Sequence, residues 1–80
     1  MALGTPEAFV SALGGAENIK SIEACITRLR LEVVNPAAVK DQELRKLGAV
    51  GVVKMGNAVQ VVLGTQAEAI EQQIRRILGR

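Results

Sequence analysis

The 80-residue sequence has no histidine, no tryptophan and no tyrosine, and it holds one cysteine and one phenylalanine. Each gap closes off a class of protein. Without histidine and with a single thiol, the usual zinc ligand sets cannot be assembled. One cysteine makes no internal disulfide, and nothing at the start resembles a signal peptide, so a reducing cytoplasm is the expected setting. The lone aromatic, Phe9, implies an aliphatic core and leaves no platform on which single-stranded nucleic acid could stack. No apolar run approaches the roughly 20 residues that span a bilayer. The surplus of charge is +2, from ten basic and eight acidic residues, too small to argue for a nucleic-acid partner.

What is present suits one folded domain spanning residues 1–80. Apolar residues make up 49% and charged residues 22% of the chain, which is ordinary for a soluble globular protein. A domain this small buries only about 60% of its unfolded surface, so its patterning has to be good.

That patterning reads clearly. Thr5-Pro6-Glu7 opens a helix, with Thr as cap, Pro at the first helical position and Glu complementing the dipole. Phe9, Val10 and Leu13 share one side of it, and Gly14-Gly15 ends it. Residues 19–24 form a brief strand. Over 27–34, Thr27, Leu29, Leu31 and Val33 alternate with Arg28, Arg30 and Glu32, the signature of a half-buried antiparallel strand. Asp41 caps a short helix through Leu47. Strands follow over 50–55 and 58–63, joined at Gly56-Asn57. Thr65-Gln66-Ala67-Glu68 then makes a capping box for a last helix. Ile70, Ile74 and Ile77 line its apolar face with Leu78 alongside, while Glu71, Gln72, Arg75 and Arg76 face solvent. Arg75, Arg76 and Arg80 read as ordinary helix-end charges. The order helix, strand, strand, helix, strand, strand, helix implies an α+β two-layer sandwich. Its sheet has four antiparallel strands with the helices on one face.

The chemistry-bearing stretch is Glu23-Ala24-Cys25-Ile26-Thr27-Arg28-Leu29-Arg30. It sets Cys25 in the bend between the first two strands. Arg28 and Arg30, two apart on a strand, point to one face, away from the helices. Turn amides, the Thr27 hydroxyl and two guanidinium groups would form an anion site around a sulfur atom. Positive charge beside a thiol favours its thiolate, and a thiolate next to a phosphate fork suits phosphoryl transfer, which needs positioning and charge stabilisation above all. From pattern alone a second reading stands equally: a lone cysteine is also a small buried hydrophobe, and strand arginines are also a solvated face. Gln60 is the polar member of the last strand, and Val62 shares its face, which is therefore partly apolar and open to a partner protein.

The same stretch resembles the phosphorylation signature D-A-C-x-T-R-L-R of the enzyme IIB domains. These belong to the glucose/N-acetylglucosamine family of the bacterial phosphoenolpyruvate-dependent sugar phosphotransferase system. Glu23 stands where that family has aspartate. The resemblance extends through Leu13-Gly14-Gly15, Asn18-Ile19, Leu47-Gly48-Ala49, Gly51-Val52-Val53, Val59-Gln60 and Gly64-Thr65. It implies a phosphotransferase with Cys25 as phosphocysteine carrier. Thr27, Arg28 and Arg30 would hold the phosphoryl group, with Glu23 and Gln60 in support. The expected donor is phosphohistidine of enzyme IIA. The expected acceptor is sugar bound to the membrane domain IIC, which would place the protein at the inner face of the cell membrane. No metal, no organic cofactor and no nucleic acid enter this scheme, and the isolated domain is expected to be monomeric. The alternative function is a regulatory module whose cysteine phosphorylation state is read by a partner protein.

Overall fold

Two β-hairpins make the sheet. In the computed structural model, which describes residues 4–80, the first joins β1 (Ile19–Cys25) to β2 (Arg28–Val33). The second joins β3 (Gly51–Met55) to β4 (Ala58–Val62). The strands lie in the order β1-β2-β4-β3, every neighbouring pair antiparallel. Residues 1–3 of the expected 1–80 domain lie outside the described residues.

The helices α1 (Pro6–Ala12), α2 (Asp41–Lys46) and α3 (Ala67–Leu78) cover one face of this sheet. The period-two pattern decides which face. Leu29, Leu31 and Val33 of β2 and Val59 and Val61 of β4 are buried, and they meet Phe9 and Leu13 near α1, Leu44 of α2 and Ile70 and Ile74 of α3. Burying such a side chain is worth about 1.5–3 kcal/mol. Exposing this set by a one-residue register slip is therefore prohibitive. The α+β two-layer sandwich holds as expected, with its outer sheet face open.

Local signals hold at the N-terminus. Thr5 Oγ1 accepts from the Ala8 N–H at 3.2 Å, and Pro6 occupies the first helical position. Gly14 follows with φ +102°, and a Cβ there would sit 2.5 Å from Asn18 Nδ2, so no other residue fits. Asn18 is the one buried polar residue among those described. Its amide donates to the carbonyls of Leu13 and Asn35 and accepts from the Asn35 N–H, which ties the end of α1 to the chain leaving β2.

Four local expectations are corrected. Asp41 is the first residue of α2 and not its cap. Lys40 holds the cap position, and the Asp41 carboxylate is engaged with Lys54 Nζ at 2.7 Å. The Thr65 capping box does not form. The N–H groups of Leu63 and Gly64 both donate to the Thr27 carbonyl, and residues Gly64–Gln66 tighten into a 3-10 turn, so Thr65 lacks the extended backbone a cap needs. Ile77 is 40% exposed, whereas Leu78, expected alongside it, does pack against the core. Finally, Arg75 and Arg80 are more than helix-end charges. Arg75 pairs with Glu71 and donates to the Ile22 carbonyl, and Arg80 donates to the carbonyls of Ile19 and Lys20. These acceptors belong to β1, an edge strand, so the basic end of α3 occupies a row of groups that would otherwise be free to pair with another chain.

Candidate functional site

The open face of the sheet can be read row by row from the pairing. One row runs Cys25–Arg28–Val62–Gly51, the next Glu23–Arg30–Gln60–Val53, and the third Ser21–Glu32–Ala58–Met55. Alternation along each strand puts all of these on the side away from the helices. The β1–β2 half of the face carries the thiol, the arginines and the carboxylates. The β4–β3 half is mostly apolar, and Val53 and Met55 are exposed there.

Cys25 is the last residue of β1, exposed, and its Cα partner is Arg28. The connection between them has two residues, Ile26 and Thr27. A two-residue hairpin needs a positive φ at its first central position or at both, which usually calls for glycine or asparagine. Here Ile26 takes it, at φ +56°. Thr27 contributes its carbonyl, which receives the N–H groups of Leu63 and Gly64 at 2.9 and 3.0 Å and so fixes the tip against the end of β4.

The two arginines are held differently. Arg28 Nη1 donates to Gln60 Oε1 at 2.9 Å, a bond between residues 32 apart in sequence that tethers the guanidinium over the sheet. Arg30 is exposed, and among the described residues no carboxylate pairs with either arginine. Both are therefore available to an incoming anion. Cys25, Ile26, Thr27, Arg28, Arg30 and Gln60 line one shallow concavity of ≈380 Å³. Expected Cys25, Thr27, Arg28, Arg30 and Gln60 are thus brought together. Glu23 is not among them. It stands across from Arg30 and lines a neighbouring concavity of ≈420 Å³ with Ser21, Glu32, Ala58 and Arg75, and Arg30 forms the shared wall.

Ile26 is the residue that reading by type passes over. An isoleucine next to a cysteine in an apolar sequence suggests packing, whereas this one is 85% exposed. The signal that could reveal it is positional: a β-branched residue stands where a two-residue hairpin asks for positive φ.

An exposed sulfur at a strand end, two guanidinium groups without carboxylate partners on the same face and an amide that fixes one of them can bind a tetrahedral anion and stabilise charge as it moves to or from the sulfur. The comparisons with known proteins bear on the family and the fold. Residues 7–39 match the family model described as phosphotransferase system, EIIB. The N-acetylglucosamine-specific EIIB component of Streptomyces coelicolor is 53% identical over 72 residues, covering 90% of this chain and 94% of that protein. The N-acetylglucosamine-specific EIICBA component of Escherichia coli is 44% identical over 73 residues, but this chain spans only 11% of its length. Among solved structures, one domain of the IIabc component of a phosphotransferase system from Clostridium difficile superposes with a TM-score of 0.68 at 27% identity, over 92% of this chain and 76% of that one. With the sheet, the signature and the near-complete match to a separate EIIB component in agreement, the chain belongs to the EIIB family of the phosphotransferase system, whose members act as phosphotransferases in sugar uptake.

Proposed function

We propose that Cys25 is the covalent carrier, that it takes a phosphoryl group from phosphohistidine of an EIIA partner, and that it delivers that group to a sugar held by EIIC. The carrying observation is the single concavity shared by Cys25, Arg28 and Arg30 on an otherwise open face. In the first step the Cys25 thiolate attacks phosphorus, the N–P bond of the donor breaks, and the imidazole nitrogen keeps the electron pair and takes up a proton. In the second step a sugar hydroxyl, losing its proton, attacks the same phosphorus. The S–P bond breaks and the thiolate returns.

Arg28 and Arg30 bind phosphoryl oxygens in both steps, and Thr27 with the turn amides holds the remainder. Gln60 keeps Arg28 over the sheet. Glu23 stands across from Arg30 but outside the concavity that holds Cys25, and it does not grip the phosphoryl group. The relatives' names point to N-acetylglucosamine as the sugar class, with glucose-type sugars next. No helix among the described residues is long and apolar enough to cross a membrane. Attachment to the inner membrane face therefore runs through EIIC, which the EIICBA relatives carry in the same chain.

Intact-mass measurement after incubation with phosphoenolpyruvate and the upstream phosphotransferase proteins tests this reading. One added phosphoryl group is expected, absent from Cys25→Ser and lost when sugar and EIIC membranes are supplied. Undiminished labelling of Cys25→Ser would end the proposal.

A further inference from the structure

We infer that the uncharged half of the open sheet face, on β3 and β4, is the docking seat of EIIC, and that it takes an aliphatic patch on the cytoplasmic side of that partner. The inference rests on the carrier reading above, with EIIC as the sugar-bearing acceptor. Three of the six large apolar side chains that stand exposed among the described residues, Val50, Val53 and Met55, fall within residues 50–55. Apolar residues scattered singly over a surface are ordinary, whereas a cluster on one face marks a contact surface. Val53 and Met55 project from the open face, with Ala58 and Val62 of β4 on the same side. No charged side chain shares this half. Lys54, the one cation of β3, turns the other way, to Asp41 and the Val39 carbonyl.

Position and size select the occupant. Val53 is the cross-strand partner of Gln60, which pairs in turn with Arg30, so the patch is continuous with the carrier concavity. Gly51 and Cys25 end one row, three strand spacings or about 14 Å apart, within reach of a single docked body. A handful of side chains falls far short of the roughly 20–30 residues that each side of a stable interface contributes, so a permanent second copy does not fit. A transient partner does, and the EIICBA relatives keep theirs close by carrying it in the same chain. The two ends of the domain then separate acceptor from donor. The Gly4 N–H donates to the Leu47 carbonyl, which leaves the N-terminal end beside the turn into β3. Arg80 bonds to the carbonyls of Ile19 and Lys20 at the start of β1, the opposite edge. The relatives' name puts EIIC ahead of EIIB and EIIA behind it. In that order EIIC enters on the β3 side and EIIA leaves on the β1 side, so the apolar half faces the acceptor.

The test uses the full chain, a phosphohistidine EIIA domain that labels it, and EIIC membranes with N-acetylglucosamine as the probe sugar. Val53→Thr combined with Met55→Thr removes the apolar contact and keeps strand-forming side chains. In this double variant KM for the phosphorylated chain in sugar transfer is expected to rise about tenfold or more, with kcat and labelling by EIIA little changed. Its melting temperature should stay within a few degrees, since both positions already stand in water. Val53→Ile with Met55→Leu stays apolar and should keep KM within about threefold of the unaltered chain. Three results would overturn the inference: an unchanged KM in the threonine pair, a matching rise in KM for EIIA, which would give the face to the donor, or a dimer of the unaltered chain that the threonine pair dissolves. If the threonine pair lowers the melting temperature, Met55→Gln alone, at a position 74% exposed, should still raise KM about threefold, and no rise there would overturn the inference as well. Cys25→Ser run alongside tests the carrier reading separately, because its retained labelling would defeat that reading whatever the β3 variants do.

Discussion

The two hairpins of this sheet solve the same backbone problem with different residues. Both have two-residue connections, Ile26-Thr27 and Gly56-Asn57, and both take a positive φ at the first of them, +56° and +60°. Gly56 has no Cβ to crowd. Asn57 then pins its tip to the end of β2: its side chain donates to the carbonyls of Val33 and Val34, and its carbonyl accepts from the Val33 N–H. The Gly56-Asn57 tip is thus unstrained and tied into the fold. At the opposite end of the sheet, the Ile26-Thr27 tip is strained, and its largest side chain stands in solvent beside the thiol. One hairpin is built for stability alone, and the other gives some of it up at the place where chemistry occurs.

The largest expected effect sharpens the functional side of that contrast. Arg28→Lys and Arg30→Lys keep the charge but lose the planar fork. Transfer to sugar should fall about a hundredfold in each, the scale of losing one transition-state donor, with phosphate entry falling less. Unaltered sugar phosphorylation by both variants, measured with EIIC membranes, would withdraw their role. Asn57→Ala should cost about 1 kcal/mol in urea unfolding, through two lost bonds to the carbonyls of Val33 and Val34, one half-buried and one exposed, while labelling of Cys25 is unchanged. If labelling fell with stability, the two tips would not be independent.

Gly56→Ile puts into the second hairpin the residue type of the first. A net cost of about 1 kcal/mol is expected, since the left-handed penalty exceeds the gain from a less flexible unfolded chain. A stable Gly56→Ile protein would show that this backbone tolerates isoleucine freely, and the strain argument at Ile26 would break. The smallest effect belongs to Gln60→Ala. It should slow transfer about threefold, as suits one exposed hydrogen bond to Arg28, and leave the unfolding midpoint within error. A loss as large as that of Arg28→Lys would mean that Gln60 contacts the phosphoryl group itself.

A similar contrast separates the two edges of the sheet. On β1 the guanidinium groups of Arg75 and Arg80 occupy outward carbonyls, while β3 carries exposed Val53 and Met55 and a Lys54 turned toward Asp41 and the Val39 carbonyl. Charged groups at an edge discourage pairing with another chain. The edge nearest the thiol is the better covered of the two.

Alternation and turn chemistry within β2, β4 and α1 determined from the sequence alone that these segments are strands and a helix, which side of each is buried, and that Arg28 and Arg30 share one face beside the bend that carries Cys25. These are local properties, fixed by side-chain period and by residues a few places apart. Only the tertiary structure decided the strand order β1-β2-β4-β3, the Arg28–Gln60 bond, the reach of Arg75 and Arg80 back to β1, and the replacement of the Thr65 cap by a 3-10 turn held through Thr27. Each of those joins groups that are tens of residues apart. Their energies depend on the sheet having closed, so no local pattern can carry them. Ile26 shows the limit most plainly, because its type argues for burial, and only the closure of a two-residue turn turns it out into water.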